Sequence, residues 1–352
     1  MKNRVLLGMS GGVDSSVAAI ILKEQGYEVI GVTMNLLDSD INGTCCNISS
    51  TLDAKRVCNY LNIPHYTLNF KELFKKHVID NFLSEYTNCR TPNPCIECNK
   101  YLKFGAMYQK ALELDCSYIA TGHYAKIEYD AKYNKKVLKK ANALEKDQSY
   151  VLYNLPQNMM DKLLLPLGEF KSKADIRDIA RKHNLPVASK PDSQDICFIP
   201  DGNYAKFIEK NLHLKHKTGN IVDNDGNILG KHHGLYKYTI GQRRGLNISS
   251  KCRLYVTNFN KKKNEVIVGN ENQLYKKEFD VNEINLLTYK KIISPLKVNI
   301  KTRYSSKANS GTIYQNEDVI HVVFDEPQKS ISPEQSAVFY EQDVVIGGGK
   351  II

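Results

Sequence analysis

A glycine-rich turn between the first apolar segment and the first helical segment constrains the fold of this chain most strongly. Residues 4–9 (RVLLGM) have the apolar run of a buried strand, and residues 14–25 (DSSVAAIILKEQ) have helical periodicity that ends at Gly26, a residue suited to a helix C-cap. The turn between them, residues 8–16, reads GMSGGVDSS. A buried strand that leads through a short turn into a helix favours an α/β fold with a parallel sheet.

The composition of this turn indicates a site for an anion. Gly11 and Gly12 allow the backbone to approach phosphate closely, and the hydroxyls of Ser10 and Ser15 can donate hydrogen bonds. The N-terminus of the following helix adds backbone N–H groups and a favourable dipole. Neither a Walker loop nor a dinucleotide-binding turn fits, because no lysine follows the second glycine and the G-x-G-x-x-G spacing is absent. An ordinary glycine-containing turn is the alternative.

The rest of the chain predicts three domains. Strands at 27–36, 64–70 and 117–124 alternate with helices at 51–62, 71–86 and 99–114, and a second helical region follows at 147–184. From residue 218 onward, short apolar segments are separated by Gly, Asn and Pro, a pattern typical of β-strands. We therefore predict an α/β parallel-sheet domain over 1–205, a small connecting domain over 206–280 and a β-barrel-like domain over 281–352.

The charge distribution points to a nucleic-acid partner. The chain has 49 Lys and Arg against 38 Asp and Glu, a net charge of +11, and the 33 residues from Lys231 to Lys263 include nine basic and no acidic residues. Tyr236, Tyr238 and Tyr255 are interleaved with these cations, as a surface that contacts phosphates and bases would allow. The longest apolar run, Val17–Leu22, is far shorter than the roughly 20 residues of a membrane span. We expect a cytoplasmic protein without a membrane partner.

The cysteines include one pair with the spacing of a chemical site. Cys95 and Cys98 lie in the stretch RTPNPCIECNK (90–100), where prolines restrict the loop and Asn99 is suited to start a helix. A thiol at a helix N-terminus beside Lys100 would be favoured as thiolate. Half of a structural zinc site is the alternative, although no second C-x-x-C is present to complete four ligands.

Eight motifs along the whole chain point to one family. In chain order they are SGGVDSS (10–16), RTPNPxxxCN (90–99), TGHYA (121–125), KDQSYVLY (146–153), SQDICFI (193–199), YTIGQRRGL (238–246), KTRYSS (301–306) and EQSAVFY (334–340). Together they resemble the motifs of bacterial-type tRNA-specific 2-thiouridylases, which belong to the PP-loop ATP-pyrophosphatase superfamily. The resemblance implies that the region 1–205 is a PP-loop ATP-binding catalytic domain, and that 206–280 also contributes to tRNA binding.

The reaction that this resemblance implies is the thiolation of a wobble uridine in tRNA. ATP, with Mg²⁺, would adenylate the C2 oxygen, and sulfur from a persulfide donor, a cysteine desulfurase or a relay protein, would then replace it. AMP and pyrophosphate would be the other products. By motif position, Cys98 matches the family's nucleophilic cysteine and Cys197 the cysteine that carries the persulfide. In family members the two can close a disulfide bond.

The resemblance also implies the other site residues by their positions in the motifs. The ATP pocket would include Gly8, Met9, Ser10, Gly11, Gly12, Val13, Asp14, Ser15, Met34 and Gly122. The flipped-out uracil would meet Asn93, Pro94 and Cys95. Further tRNA contacts would come from His123, Lys146, Asp147, Gln148, Arg303, Tyr304 and Gln335.

Cys95 departs from the pattern and leaves a second mechanism open. Some relatives have an aspartate at this position, proposed to assist proton transfer, and that carboxylate role cannot be carried over to Cys95. Cys95, Cys98 and Cys197 could instead ligate a [4Fe–4S] cluster that binds the incoming sulfur. Two further alternatives are another PP-loop synthetase acting on a small molecule, and an RNA-binding or zinc-dependent module in which the glycine-rich turn is incidental.

Overall fold

The computed structural model describes residues 3–37, 48–191, 196–213 and 217–352, so residues 193–195 of the SQDICFI motif lie outside the described part. The chain forms two compact units. The first unit consists of Met1–Val78, Cys95–Gly202 and Asp343–Gly347. The second consists of Ile79–Pro94, Asn203–Gln342 and Gly348–Ile352.

A five-stranded parallel sheet forms the centre of the first unit. Its strand order is β3-β2-β1-β4-β7, and the strands are β1 Arg4–Gly8, β2 Glu28–Asn35, β3 His65–Asn69, β4 Tyr118–Ala120 and β7 Leu163–Leu164. Val5, Leu6 and Leu7 of β1 are fully buried, and β2 and β4 pair with both edges of this strand. The prediction of an α/β parallel sheet is confirmed.

The helices of this region differ in detail from the predicted ones. They are α1 Val13–Glu24, α2 Ile48–Tyr60, α3 Lys71–Phe74, α4 Asp80–Thr87, α5 Pro94–Glu97, α6 Met107–Glu113 and α7 Lys173–Lys182. π-Helical segments, Lys75–Ile79 and Cys98–Ala106, join α3 to α4 and α5 to α6. The helix predicted from residue 99 thus begins at Pro94, a residue type suited to the first helical position.

Two parts of the predicted strand and helix pattern were wrong. The strand predicted over 117–124 ends at Ala120, and an antiparallel hairpin follows, formed by β5 Ala125–Asp130 and β6 Lys135–Lys140. In the region 147–184, α7 is preceded by single 3₁₀ turns, such as Gln157–Met159, and by the short strand β7. The helical reading failed there because apolar residues of a buried irregular segment mimic the spacing of a helix.

The described part of the second unit includes two α-helices and two β-structures. The helices are α4, which belongs to the segment Ile79–Pro94, and α8 Tyr204–Leu212. A four-stranded sheet of order β10-β11-β8-β9 is formed by β8 Gly219–Val222, β9 Ile228–His232, β10 Tyr255–Asn260 and β11 Glu265–Gly269. Ile221, Val256, Val266 and Val268 form its core.

A closed antiparallel barrel makes up the last part of the chain. Its strands are β12 Tyr275–Leu286, β13 Leu296–Lys301, β14 Asn309–Asn316, β15 Val319–Lys329, β16 Ser336–Glu341 and β17 Val344–Ile351. They follow the order β12-β15-β14-β13-β16-β17, and pairing between β12 and β17 closes the ring. The prediction of a β-barrel-like end is confirmed. No helix in the described part of the chain is long and apolar enough to cross a membrane.

Candidate active site

The glycine-rich turn lies where the strand order of the parallel sheet reverses. From β1 the chain leads to β2 on one side, and β4 pairs with β1 on the other side. The turn follows the carboxyl end of β1, and Thr121 and Gly122 follow the carboxyl end of β4. In open parallel sheets, ligands bind in the crevice outside the strands at such a point. The topology therefore places the turn in the position expected of a ligand site.

The backbone of the turn is held in a defined shape. Ser10 N donates to Ser15 Oγ at 3.2 Å, and Ser16 Oγ donates to Gly12 O at 2.7 Å. The side chains of Met9 and Val13 are buried, 2% and 4% exposed, so these two residues can meet a ligand only through their backbone. Gly12 is the N-cap of α1 and has no side chain to accept from the first-turn N–H groups. An anion can accept from those groups instead.

Gly122 packs against this turn, and Met34 lies on the neighbouring strand. A Cβ on Gly122 would be 3.0 Å from Ser15 N and 3.1 Å from Asp14 C, so a larger residue would press on the first turn of α1. Met34 is half-buried on β2, in register with Leu68 of β3. The structure thus brings Gly122 into contact with the turn. The ATP contacts of Gly122 and Met34 stay predictions.

Two lysines that the sequence analysis missed contact the turn. Lys173 Nζ lies 2.5 Å from Asp14 Oδ1, and Tyr124 Oη donates to the same oxygen at 2.6 Å. Lys190 Nζ donates to Gly11 O at 3.0 Å. Neither lysine lies in a recognisable motif, and both are more than 150 positions from their partners in the turn. No local sequence pattern could have identified them.

Cys98 lies further into its helix than predicted. Because α5 begins at Pro94, Cys98 follows the first helical turn as the first residue of the π-helical segment, and its side chain is buried, with 8% of it exposed. The dipole of a helix acts mainly within its first turn, so the predicted support for a thiolate is weaker here. The next residue fixes the segment, since Asn99 Nδ2 donates to Val151 O at 2.8 Å. Cys95 is exposed.

Cys197 is half-buried, although the residues after it are in the core. Phe198 and Ile199 are each 1% exposed, and the Phe198 ring packs edge-to-face on Phe74 with 5.6 Å between centroids. These two side chains hold the segment, while Cys197 itself is partly exposed. Cys98 and Cys197 are both thiols in the structure.

The three cysteines considered for a cluster all lie in the described part of the chain. Within that part, no three His, Cys, Asp or Glu side chains are grouped so as to hold a metal ion. The three thiolates of a [4Fe–4S] cluster each bind a different iron, so their sulfurs do not meet at a single metal ion. A cluster on Cys95, Cys98 and Cys197 stays a hypothesis.

His123 is buried and is engaged at both ring nitrogens. Nδ1 lies 2.7 Å from Thr121 Oγ1, and Nε2 lies 3.2 Å from Lys103 Nζ. Because an ammonium can only donate, Nε2 accepts and the ring proton sits on Nδ1. Burial, and secondarily the charge of Lys103, lower the pKa of His123 well below its usual value of 6.5. His123 thus positions Lys103, which the sequence analysis missed and which lies five residues after Cys98.

Residues 146–148 are predicted to contact tRNA, and two of them make hydrogen bonds within the protein. Asp147, 8% exposed, accepts from Ala141 N at 3.1 Å and from the Ser149 hydroxyl at 2.8 Å. Gln148 is joined to Tyr124 by two hydrogen bonds of 2.9 and 2.8 Å. Lys146 ends a short 3₁₀ turn. These contacts shape the segment after β6, and tRNA binding by the three residues stays a prediction.

The remaining predicted contacts, apart from Cys95, lie in the second unit. Asn93 and Pro94 end its first segment, and Gln335 precedes β16. Arg303 Nη2 donates to Ile240 O, to Ser330 O and to Ser332 Oγ at 2.8–3.1 Å, so this guanidinium ties three segments together. Tyr304 is 43% exposed, with Lys301 Nζ 5.4 Å from its ring centre. Tyr304 is thus available to a nucleotide, whereas Arg303 is used largely within the unit.

In the basic stretch from Lys231 to Lys263, cations are exposed on the surface but the three tyrosines are buried. Arg243 and Arg244 are exposed. The three tyrosines are buried, since Tyr236, Tyr238 and Tyr255 are 7%, 9% and 8% exposed. The prediction that these tyrosines lie on a surface that contacts bases was wrong, because their rings are packed inside the unit and cannot stack on nucleotides.

Three family models match consecutive parts of the chain. They are described as "tRNA methyl transferase HUP domain" over residues 3–201, "tRNA methyl transferase PRC-barrel domain" over 205–270 and "Aminomethyltransferase beta-barrel domain" over 276–351. Among curated relatives, "tRNA-specific 2-thiouridylase MnmA" of Acetivibrio thermocellus is 49% identical, over 99% of this chain and 99% of its own length. The protein of the same name from Clostridioides difficile is 48% identical, over 100% of this chain and 98% of its own.

Proposed function

Because the chain belongs to the family of tRNA-specific 2-thiouridylases, we propose that it replaces the C2 oxygen of the wobble uridine in tRNA by sulfur, in a reaction driven by ATP. The observation that carries the proposal is the full-length match to enzymes of that name, together with an anion-binding turn at the switch point of the parallel sheet. Two of the family descriptions contain the words "methyl transferase". We favour thiolation over methyl transfer, because a turn suited to ATP and a pair of cysteines both serve thiolation directly.

The first step we propose is adenylation of the uridine. The C2 oxygen attacks the α-phosphorus of ATP, an O–P bond forms, the α–β phosphoanhydride bond breaks and pyrophosphate leaves. The first-turn N–H groups of α1 support this role, since they can stabilise charge on the phosphates. Asp14 accepts from Lys173 and Tyr124 at Oδ1, so its other carboxylate oxygen, Oδ2, would be the one to bind Mg²⁺. Mg²⁺ bound to ATP would neutralise phosphate charge.

The second step we propose is sulfur transfer through Cys197 and Cys98. The terminal sulfur of a Cys197 persulfide attacks C2, a C–S bond forms, and AMP leaves with the former C2 oxygen. The Cys98 thiolate then attacks the Cys197 sulfur, which releases 2-thiouridine and closes a Cys98–Cys197 disulfide. A cellular thiol reductant reopens that disulfide, and a cysteine desulfurase or relay protein reloads Cys197. The partial exposure of Cys197 supports this assignment.

The competing mechanisms have less support. The described residues include no group of three His, Cys, Asp or Glu side chains that could hold a metal ion, so no observation favours the [4Fe–4S] route over the persulfide route. A small-molecule synthetase would have no use for the exposed cations Arg243 and Arg244. Replacing Cys95 by Asp distinguishes the two sulfur routes further, because a persulfide enzyme should keep substantial activity whereas a cluster would lose a soft ligand.

The test is thiolation of unmodified tRNA with ATP and a persulfide donor, followed by nucleoside mass spectrometry and a pyrophosphate assay. We expect one oxygen-to-sulfur exchange at the wobble uridine and pyrophosphate release that depends on tRNA. Pyrophosphate release without tRNA, or tRNA that stays unmodified, would contradict the proposal. A Cys197→Ser variant that still thiolates would contradict the persulfide step alone.

We also propose the domain division and the place of action. Boundaries near residues 205 and 280 are supported by the limits of the family models, 3–201, 205–270 and 276–351. The central region would then contribute its basic stretch to tRNA binding. A tRNA substrate and reactive thiols are both compatible with the reducing cytoplasm, which is where we propose that the protein acts.

A further inference from the structure

The ATP turn lacks a positive charge of its own. Residues 8–16 contain no lysine or arginine, and Asp14 adds a negative charge. The triphosphate of ATP carries several negative charges, and the pyrophosphate that leaves gains charge as the bond breaks. Backbone N–H groups supply only partial charges. Mg²⁺ bound to ATP would neutralise part of this charge, and any protein cation at the site has to come from elsewhere in the chain.

Lys173 is the first such cation. Its ammonium lies 2.5 Å from Asp14 Oδ1 and 5.8 Å from the centre of the Tyr124 ring, and its side chain is only 14% exposed. Lys173 is also the first residue of α7, directly after the N-cap Ser172. A cation at a helix N-terminus is opposed by the helix dipole. The position of this lysine is thus explained by the turn and not by the stability of its own helix.

Lys190 is the second cation, and it approaches the turn from another segment. Its ammonium donates to Gly11 O at 3.0 Å and to Asp53 Oδ2 at 2.9 Å, and its side chain is 32% exposed. Gly11 has a φ of +69°, in the left-handed region that favours glycine, and it precedes the N-cap of α1. The two ammonium groups therefore contact the turn at residues 11 and 14.

We propose that Lys173 and Lys190 bind the polyphosphate of ATP and stabilise the departing pyrophosphate. Asp14 and Asp53 keep the two ammonium groups in place before the nucleotide arrives, so Asp14 is a positioning residue for Lys173. Phosphate oxygens then share these ammonium groups, with charge-assisted hydrogen bonds that strengthen as negative charge develops on the leaving group. This inference rests on the proposed use of ATP.

The test compares nucleotides that differ only in their phosphates. Dissociation constants for ATP, AMP and inorganic pyrophosphate are measured by equilibrium titration on the full chain, for Lys173→Ala, Lys190→Ala and the charge-preserving Lys173→Arg. Lys182→Ala, an exposed lysine at the other end of α7, is the matched control. Far-ultraviolet circular dichroism verifies that each variant is folded.

We expect each alanine variant to bind ATP and pyrophosphate roughly ten- to a hundredfold more weakly, the loss typical of a hydrogen bond to a charged group, with AMP binding within about twofold of the wild type. Lys173→Arg should retain most of the preference for ATP over AMP, and Lys182→Ala should behave as the wild type. Equal weakening of ATP and AMP, or unchanged ATP and pyrophosphate binding, would overturn the proposal. If the wild type binds neither ATP nor pyrophosphate, the assignment of an ATP site is itself wrong. The proposed role of the two lysines in binding polyphosphate is then wrong as well.

Discussion

The substitution Gly11→Ala tests whether the ATP turn must keep its present backbone shape. Gly11 has a φ of +69°, and a Cβ built on it would lie 2.1 Å from the carbonyl oxygen of Ser50. Real Cβ atoms essentially never approach another atom closer than 3.0 Å, so the turn or α2 has to move by at least the difference, 3.0 − 2.1 = 0.9 Å. No rotamer change can relieve this contact, because the oxygen belongs to the backbone.

The expected effect combines backbone strain and displacement. A residue with a Cβ pays about 1–2 kcal/mol for the left-handed conformation. A displacement of reacting groups by about 1 Å lowers a rate on the order of 100-fold. We therefore expect Gly11→Ala to reduce tRNA-dependent pyrophosphate release by about 100-fold, measured with a coupled phosphate assay at saturating ATP.

Gly26→Ala is the matched control for this prediction. Gly26 also has a left-handed φ, +83°, but a Cβ built there meets nothing within 4 Å. This variant should lose about 1–2 kcal/mol in the free energy of unfolding, measured by urea denaturation, and keep its activity. The reasoning is refuted if Gly11→Ala stays within twofold of the wild type, or if Gly26→Ala loses as much activity as Gly11→Ala.

Three further predictions follow from the same structure. Replacing the exposed Arg243 and Arg244 together by Ala should weaken tRNA binding and flatten the slope of log affinity against log salt by about one to two units, measured by filter binding; an unchanged slope would remove both from the interface. Cys98→Ser and Cys197→Ser should each abolish thiolation while ATP and tRNA dissociation constants stay within about twofold, because a hydroxyl has the shape of a thiol without its nucleophilicity. The pKa of His123 is lowered well below 6.5 by burial, so below that pH the unfolded chain binds a proton that the folded chain does not, and stability falls as the pH decreases. Urea denaturation at pH 7.5 and 5.5 should show a smaller loss for His123→Gln than for the wild type, and equal losses would contradict the assignment.

The candidate site divides into residues that local pattern could identify and residues that it could not. The turn at residues 8–16 was identified because a strand, a glycine pair and a helix follow each other between residues 4 and 25. Lys173 and Lys190 were missed because they are 159 and 179 positions from their partners in the turn. Hydrophobic periodicity and motif spacing describe neighbours along the chain, so they hold no information on such pairs.

Burial was a second quantity that the sequence left open. The acid-free stretch from Lys231 to Lys263 indicated one surface of cations and aromatic rings, but the fold separates them, with Arg243 exposed and Tyr236 7% exposed. A tyrosine fits a core as well as a surface, because its ring is apolar and its hydroxyl needs only one partner, here Glu209 for Tyr236. Which of the two it takes is decided by the packing of distant segments.

The sequence by itself determined the class of the fold, the position of the glycine-rich turn and the family. Each of these depends on short-range order: alternating strands and helices, the adjacent glycines Gly11 and Gly12, and motifs in a fixed sequence. Only the tertiary structure decided which charges surround the turn, that Cys98 lies beyond the first turn of its helix and that His123 is buried against Lys103. Those features arise when segments far apart in the chain are packed together, and their electrostatic effects depend on distances that no sequence pattern encodes.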